Sequence, residues 1–287
     1  MRFNLDCIPC LTKQAISTLR MVTKDHDLQD KTMRLILQEM KQLDFNNPPP
    51  YMSCLIQKII KEQTGNPDPY QEIKKDFNQA VLNLYDYLEK IVQESTYPFE
   101  QAIRFAASAN IIDFGVIPDI TMEQVKKALQ DSINSHIKGN PASELEEAIK
   151  KAQKILFLGD NTGEIVMDKI LLTRMPREKV TYVVKGKPII NDVLKEDAEF
   201  VGITDLVRVI DNGADIPGTM LELSSPEFQQ EFADADLIIA KGQGNYECLN
   251  EYKGKKIFFI FRVKCNAVAN IVNCAPDDII LKKHFPV

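Results

Sequence analysis

The sequence lacks the features that mark secreted, membrane-spanning and nucleic-acid-binding proteins. Its longest apolar run, Ile257 to Phe261, is far too short to cross a bilayer, and the amino terminus MRFNLDCIPC lacks the apolar core of a signal peptide. The net charge of −6 and the pI near 5.3 disfavour a basic surface for nucleic acid or anionic lipid. We therefore expect a cytoplasmic protein that binds neither nucleic acids nor membranes.

Cysteine is sparse, and its spacing does not indicate a secreted disulfide framework. Six cysteines are scattered over 287 residues. Cys7 and Cys10 form a C-x-x-C ahead of a predicted helix, a spacing that can bind zinc but normally needs two more ligands. No second C-x-x-C follows. Three interpretations stay open: a binding or scaffold module organised by zinc, a structural or redox role, and ordinary packing.

Several catalytic motifs are also missing. There is no G-x-S-x-G serine elbow, no phosphate loop with Gly-Lys-Ser or Gly-Lys-Thr, and no G-x-G-x-x-G dinucleotide motif. Histidine general-base catalysis is not expected, since His26, His136 and His284 all fall outside the predicted sheet-edge turns. The stretch LFLGDNTGE leaves one alternative class open, an S-adenosylmethionine-dependent methyltransferase or a nucleotide-binding module, because its glycines could let ribose or phosphate approach the backbone.

What the chain does contain is two parts with different hydrophobic patterns. About the first hundred residues repeat amphipathic helices that end in polar or proline-rich breaks. From residue 154 onward, short apolar runs alternate with helical patterns, which is typical of parallel strands joined by helices. We predict a helical domain over residues 1–105 and an α/β domain over residues 106–287, with the helices of residues 106–153 able to pack on either part. One of those helices is predicted over Met122 to Ile137.

Five strands are predicted in the second part, and a polar turn follows each of them. The predicted strands are Ile155 to Leu158, Val180 to Val184, Leu206 to Ile210, Leu237 to Ala240 and Ile257 to Val263. Because the carboxyl ends of parallel strands meet at one edge of a sheet, the turns should gather there and form a site. The expected fold class is therefore α/β, with a doubly wound and mainly parallel sheet.

The first of these strands and its turn are the centre of the predicted site. Asp160 and Asn161 follow the strand directly, and adjacent oxygen-bearing side chains at a sheet edge suit a hard cation or a polar substrate. Asp192 supplies a third oxygen-bearing side chain after the second strand. Each of the three could instead cap a following helix, which is a common role for Asp and Asn.

Other strand-end turns add positive charge and flexible backbone. They contain Lys185, Lys187, Lys241 and Lys264, together with the glycine-bracketed loop Gly242 to Gly244. Combined with oxygen ligands, this set favours metal-assisted phosphoryl transfer, in which a cation polarises the phosphoryl oxygen while lysines and amides hold the remaining charge. The nucleophile could be a water activated by the cation or one of the aspartates. Lys264 is expected to have an anionic partner, whereas Lys185 and Lys187 are expected to be solvated.

The motifs at these turns resemble those of the damage-control phosphatase family, which also includes proteins labelled protein-glutamate methyltransferases. The resemblance is carried by GDNTGE at 159–164, Asn191-Asp192, AKGQGNYE at 240–247 and VKCNAV at 263–268. CIPC near the amino terminus and NIIDFG at 110–115 are similar to the archaeal and bacterial branch of that family. The resemblance covers the whole chain.

This resemblance implies a helical domain on a three-layer α/β/α sandwich with a Rossmann-like sheet. It implies metal-dependent phosphatase activity on small phosphorylated metabolites, such as sugar phosphates or damaged phosphometabolites. Asp160, Asn161 and Asp192 would bind the divalent cation, and Lys264 would hold the phosphate. The residues that would contact the substrate are Lys241, Gly242, Gln243, Gly244 and Asn245. Oxygen ligands favour Mg²⁺ or Mn²⁺, with Co²⁺ and Ni²⁺ as alternatives.

Four more polar residues lie close to these motifs. Glu164, at the start of the helix after the first turn, is a candidate for supporting the metal ligands or contacting substrate, whereas Asp168 is expected to be solvated. Asn110 and Asp113 lie at a predicted helix end, where they could contact substrate or simply cap the helix.

Overall fold

The computed structural model describes residues 1–108 and 135–285, which form twelve α-helices and one seven-stranded sheet. The helices are α1 Cys7–Val22, α2 His26–Met40, α3 Pro49–Thr64, α4 Gln71–Leu82, α5 Tyr85–Glu94, α6 Pro98–Ser108, α7 Ala142–Lys151, α8 Glu164–Leu172, α9 Lys195–Phe200, α10 Pro226–Asp234, α11 Gly242–Leu249 and α12 Asn266–Val272. The strands are β1 Ile137–Gly139, β2 Ile155–Leu158, β3 Val180–Val184, β4 Arg208–Asp211, β5 Leu237–Lys241, β6 Ile257–Arg262 and β7 Ile279–His284. None of these helices is long and apolar enough to cross a membrane.

The strand order places the first strand of the α/β part in the middle of the sheet. The order is β1-β7-β6-β5-β2-β3-β4. Strands β6, β5, β2, β3 and β4 are parallel, β7 pairs antiparallel with β6, and β1 pairs parallel with β7. The five parallel strands are the five that the sequence predicts. Since β2 neighbours both β3 and β5, the direction of strand succession reverses between β2 and β5, and this switch point is where α/β proteins form a ligand crevice.

Helices cover both faces of the sheet. Ile155 and Phe157 of β2 belong to the core shared with α4 through α9, whereas Leu156 and Leu158 belong to the core shared with α10 through α12. All four residues are buried, which explains the uninterrupted apolar run in the sequence. The expected three-layer α/β/α sandwich with a mainly parallel sheet is therefore confirmed.

The amino-terminal part is helical, as predicted, and its helices divide between two cores. Ala15, Ile36 and Ile56 lie in a separate core formed by α1, α2 and α3. Phe77 of α4 and Phe105 of α6 lie instead in the core beneath the sheet. Helix α4 also contacts the turn after β2, where the site is predicted, because Phe77 lies against Gly163 and Asn78 Oδ1 accepts from Gly163 N. The division of the chain at residue 105 stays a prediction.

Two elements differ from their predicted positions. The third predicted strand begins at Arg208 rather than Leu206, because Leu206 N donates to the Ile203 carbonyl in a turn before β4. Ile137 was predicted to end a helix, but it begins β1, a short and largely exposed edge strand. Most of that predicted helix lies outside the described residues.

Candidate metal and phosphate site

The candidate site forms at the switch point, where β2 and β5 end side by side. Asp160 follows β2 by two residues, and Lys241 is the last residue of β5. Gly242 then begins α11 with a φ of 79°, and a side chain at this position would overlap the Asp160 carboxylate. Only glycine allows both the positive φ and this close approach. The start of α11 therefore passes directly over Asp160.

The turn after β2 places Asp160 and Asn161 side by side. Asn161 Nδ2 donates to Asp160 Oδ2 at 2.7 Å and to Glu164 Oε1 at 2.9 Å. Both amide hydrogens are then used, and the Asn161 side-chain oxygen is available to accept. Helix α8 begins at Glu164 after Gly163, and no side chain caps it. The capping interpretation of Asp160 and Asn161 is therefore wrong.

Asp192 lies against the same turn. Asn161 and Asp192 form an isolated antiparallel bridge, and Val193 N donates to Asp160 O at 2.9 Å. The structure thus brings together the three oxygen-bearing residues that the sequence singles out. Asp192 caps no helix, because the next helix begins only at Lys195.

Without a cation, ionising the carboxyl groups of Asp160 and Asp192 is unfavourable, because both are buried and close to other negative charges. Burial raises the pKa of Asp160 well above its ordinary value, and the Glu164 and Asp192 carboxylates raise it further. Burial also raises the pKa of Asp192 to about 6, although Lys185 opposes the shift. A bound divalent cation would favour the ionised form of both groups.

Asp192 Oδ2 shows most directly that these residues fit a cation. This oxygen is buried, yet it accepts no hydrogen bond from the part of the chain that the structure describes. Lys185 Nζ lies 3.4 Å away as an ion pair but donates to Gly218 O at 2.6 Å. Buried carboxylate oxygens normally have a donor or a metal. With Asp160 and Asn161, Asp192 gives an oxygen-only set of the kind that binds Mg²⁺ or Mn²⁺.

A buried network of charged groups lies beneath the site. Lys241 is fully buried, and its Nζ donates to Asp168 Oδ1 at 2.7 Å and to Glu164 Oε2 at 3.3 Å. Tyr182 Oη donates to the other Asp168 oxygen at 2.8 Å. Burial lowers the pKa of Lys241, but the Asp168 and Glu164 carboxylates outweigh it and raise the pKa above its ordinary value. The prediction that Asp168 is solvated is wrong, since this residue has no exposed surface.

The residues after Lys241 begin helix α11 rather than forming a loop, because β5 runs directly into the helix. Gln243 Oε1 accepts from the Lys264 N–H at 2.8 Å, which holds the turn after β6 beside α11. Gly244 packs against a neighbouring backbone turn. Asn245 is fully buried and donates to Lys241 O at 2.7 Å.

The site lysines differ in exposure. The Lys264 side chain is exposed, and it forms no ion pair with the described residues, so the expected anionic partner is not found there. Its charge nevertheless opposes the rise in pKa that burial causes at Asp160 and Asp192. Lys185 was predicted to be solvated, but it is buried beside Asp192. Lys187 is exposed, as predicted.

The C-x-x-C formed by Cys7 and Cys10 is the other candidate metal-binding feature of the sequence. Cys7 and Cys10 begin α1, but across residues 1–108 and 135–285 no group of three or more His, Cys, Asp or Glu side chains could hold a metal. The zinc interpretation therefore finds no further ligands there. Burial raises the pKa of Cys7 to about 11, which disfavours a reactive thiolate. Asn110 and Asp113 lie outside the described residues.

The fold is a mainly parallel α/β sheet covered by helices, and two buried aspartates lie at its switch point. Residues 4–280 match the family described as the damage-control phosphatase ARMT1-like domain, and the chain belongs to this family. The expected class, a phosphatase, is thereby confirmed over the methyltransferase and nucleotide-binding alternatives.

Similar proteins match over nearly the whole chain. Damage-control phosphatase PH1575 of Pyrococcus horikoshii is 34% identical and covers 94% of this chain and 93% of its own length. A damage-control phosphatase of Archaeoglobus fulgidus is 29% identical, covering 98% of this chain and 99% of its own. The crystal structure of PH1575, described as a DUF89 family protein, matches with a TM-score of 0.90 at 31% identity over 99% of both chains.

Proposed function

We propose that this protein is a phosphomonoester hydrolase that depends on a divalent cation held by Asp160, Asn161 and Asp192. The observation that carries the proposal is the buried Asp192 Oδ2, which accepts no hydrogen bond from the described residues, is paired with Lys185 at 3.4 Å and lies next to a second buried carboxylate. Oxygen-only ligands favour Mg²⁺ or Mn²⁺, with Co²⁺ and Ni²⁺ as alternatives. When bound, the cation supplies polarisation of a phosphoryl oxygen and compensates the negative charge of the transition state.

The residues around this set have distinct proposed roles. Lys264, exposed at the rim of the site, binds the phosphate. The N–H groups at the start of α11, which no side chain of the described residues caps, add donors and a partial positive charge close to Asp160. Lys185 orients Asp192. Lys241 acts indirectly, since it holds Glu164, which in turn fixes the amide of Asn161.

A cavity lies next to the proposed ligand set, because Lys185, which pairs with Asp192, lines it, whereas the three proposed ligands themselves do not. It has a volume of about 500 Å³ and lies between the α3–α4 connection and the sheet edge. The described residues that line it include Asn66, Gln71, Lys195 and Asp211, and none of them is aromatic. Amide and charged side chains suit hydroxyl groups, whereas a nucleobase is usually held by stacking. We therefore propose that the substrate is a small phosphorylated metabolite such as a sugar phosphate. We also propose a cytoplasmic location, as predicted from the sequence.

The variants Asp160→Asn and Asp192→Asn test the proposed ligand set, because each keeps the side-chain shape and removes one negative charge. We expect Mn²⁺ binding, measured by titration calorimetry, to weaken at least about tenfold, and phosphate release to fall at least about a hundredfold. Asp205→Asn is the matched control, since Asp205 is exposed. If both site variants bound Mn²⁺ and released phosphate as the control does, the cation would have to be held elsewhere.

A further inference from the structure

Asn78 of helix α4 makes an unusual connection between the helical part and the candidate site. Its side chain is 1% exposed and lies on the buried face of α4, together with Phe77, Val81 and the buried Lys74. Its Oδ1 accepts from Gly163 N at 2.7 Å, in the turn that contains Asn161. Its Nδ2 donates to Asp197 Oδ1 at 2.8 Å. A buried amide whose donor and acceptor are both engaged fixes the groups at either end.

Asp197 extends this connection to the second turn of the site. Its other oxygen, Oδ2, accepts from Leu194 N at 2.8 Å. Gly163 lies two residues after Asn161, and Leu194 lies two residues after Asp192. The pair Asn78 and Asp197 therefore spans the two backbone turns that carry the proposed metal ligands.

The backbone already joins the same two turns directly. Thr162 N donates to Asn191 O at 2.9 Å and Val193 N donates to Asp160 O at 2.9 Å, next to the bridge between Asn161 and Asp192. The link through Asn78 and Asp197 adds a buried side-chain connection between Gly163 of the first turn and Leu194 of the second.

From this arrangement we propose that Asn78 and Asp197 are positioning residues for the metal site. Their hydrogen bonds hold the turns of Asn161 and Asp192 at the separation that the cation requires. The inference rests on the proposed function, because it concerns the same cation. Asn78, a residue of the amino-terminal helices that is far from the site in sequence, then sets the metal affinity of the sheet edge.

A reciprocal exchange tests this role. Asn78→Asp alone places two carboxylates face to face, and Asp197→Asn alone places two amide donors face to face. The double variant Asn78→Asp, Asp197→Asn restores every bond with the donor and acceptor reversed. The carboxylate introduced at position 78 would accept from Gly163 N and from the amide introduced at position 197, whose oxygen would accept from Leu194 N. The net charge is unchanged.

The readout is the dissociation constant for Mn²⁺, measured by calorimetry on the folded, metal-free full-length chain. We expect each single variant to bind Mn²⁺ about 10 to 100 times more weakly, as when a group that orients a metal ligand is lost. The double variant should return to within about threefold of the wild type. Gln79→Glu and Glu199→Gln are matched controls on the same two helices, because both residues are exposed, and neither should change the constant.

The outcomes separate this inference from the proposed function. If the wild type bound no Mn²⁺, the proposed function would fail first. If the wild type bound Mn²⁺ and the single variants bound it equally well, the pair would only stabilise the fold, and the positioning role would be refuted. Should the single variants be too unstable to titrate, the double variant decides. Wild-type Mn²⁺ affinity in the double variant supports the positioning role, whereas weak Mn²⁺ binding or failure to fold contradicts that role.

Discussion

Replacing Lys241 by methionine should destabilise the protein strongly, because it removes the ammonium that lies between two buried carboxylates. Lys241 Nζ is 2.7 Å from Asp168 Oδ1 and 3.3 Å from Glu164 Oε2, and it has no exposed surface. Methionine matches the lysine side chain as far as Cε and leaves Asp168 and Glu164 without this compensating charge. Lys241→Met therefore tests whether this network supports the site from beneath.

The expected magnitude follows from burial. Removing one partner of a buried ion pair typically costs about 3–5 kcal/mol, because the remaining charge is left uncompensated. Protonation of a carboxylate limits this cost at low pH, so the loss should grow as the pH rises. The double variant Lys241→Met, Asp168→Asn removes the ammonium and the nearer of its two carboxylate partners, and the amide oxygen introduced at position 168 can still accept from Tyr182. It should recover about 1–3 kcal/mol relative to the sum of the single changes.

The assay is urea-induced unfolding of the metal-free protein at two pH values, with Lys187→Met as the exposed control. A stability close to wild type for Lys241→Met, combined with lost turnover, would refute this reasoning. It would instead support the interpretation drawn from the sequence, in which Lys241 contacts the substrate.

Three further changes follow from the described contacts. Burial raises the pKa of Glu247 to about 7. Protonated Glu247 therefore stabilises the fold at low pH, and this stabilisation is lost as the pH rises through that value. Between pH 5 and pH 8 the free energy of unfolding, measured with urea, should fall by about 2–3 kcal/mol less in Glu247→Gln than in the wild type. Gly163→Ala should lower stability by about 2 kcal/mol or more, because φ is 74° and a β-carbon would lie 2.5 Å from the Phe77 ring; an unchanged melting temperature would contradict this. Lys264→Met should reduce phosphate release about a hundredfold while Mn²⁺ affinity stays within about threefold, and normal turnover would move the phosphate site elsewhere.

Much of the sheet was predictable from local patterns. Four of the five parallel strands are almost entirely buried, so their apolar runs stand out from polar turns, whereas β4 is a partly exposed edge strand. Residues such as Asp160 and Asp192 could therefore be placed at one edge. The two added strands carry weaker signals. β1 has three residues and is largely exposed, and β7 changes from apolar to charged halfway along, so neither shows the pattern of a buried strand.

The support beneath the site could not be predicted from sequence spacing. Asp168 and Lys185 are charged residues in segments that could equally face solvent, and only tertiary pairing shows that they are buried. Asn78 lies on the buried face of α4, and its partners are 85 and 119 residues away in the chain. A pattern of period 3.6 or 2 carries no information about contacts at such separations.

The central claim is tested most directly by phosphate release before and after removal of divalent cations. The purified wild-type protein is chelated, checked to be metal-free, and assayed on an aryl phosphate and a panel of sugar phosphates, with Mg²⁺, Mn²⁺, Co²⁺ or Ni²⁺ then restored. We expect activity to disappear on chelation and to return with at least one cation, and not to return in Asp192→Asn. Full activity in the verified metal-free protein would contradict a metal-dependent phosphatase site at Asp160, Asn161 and Asp192.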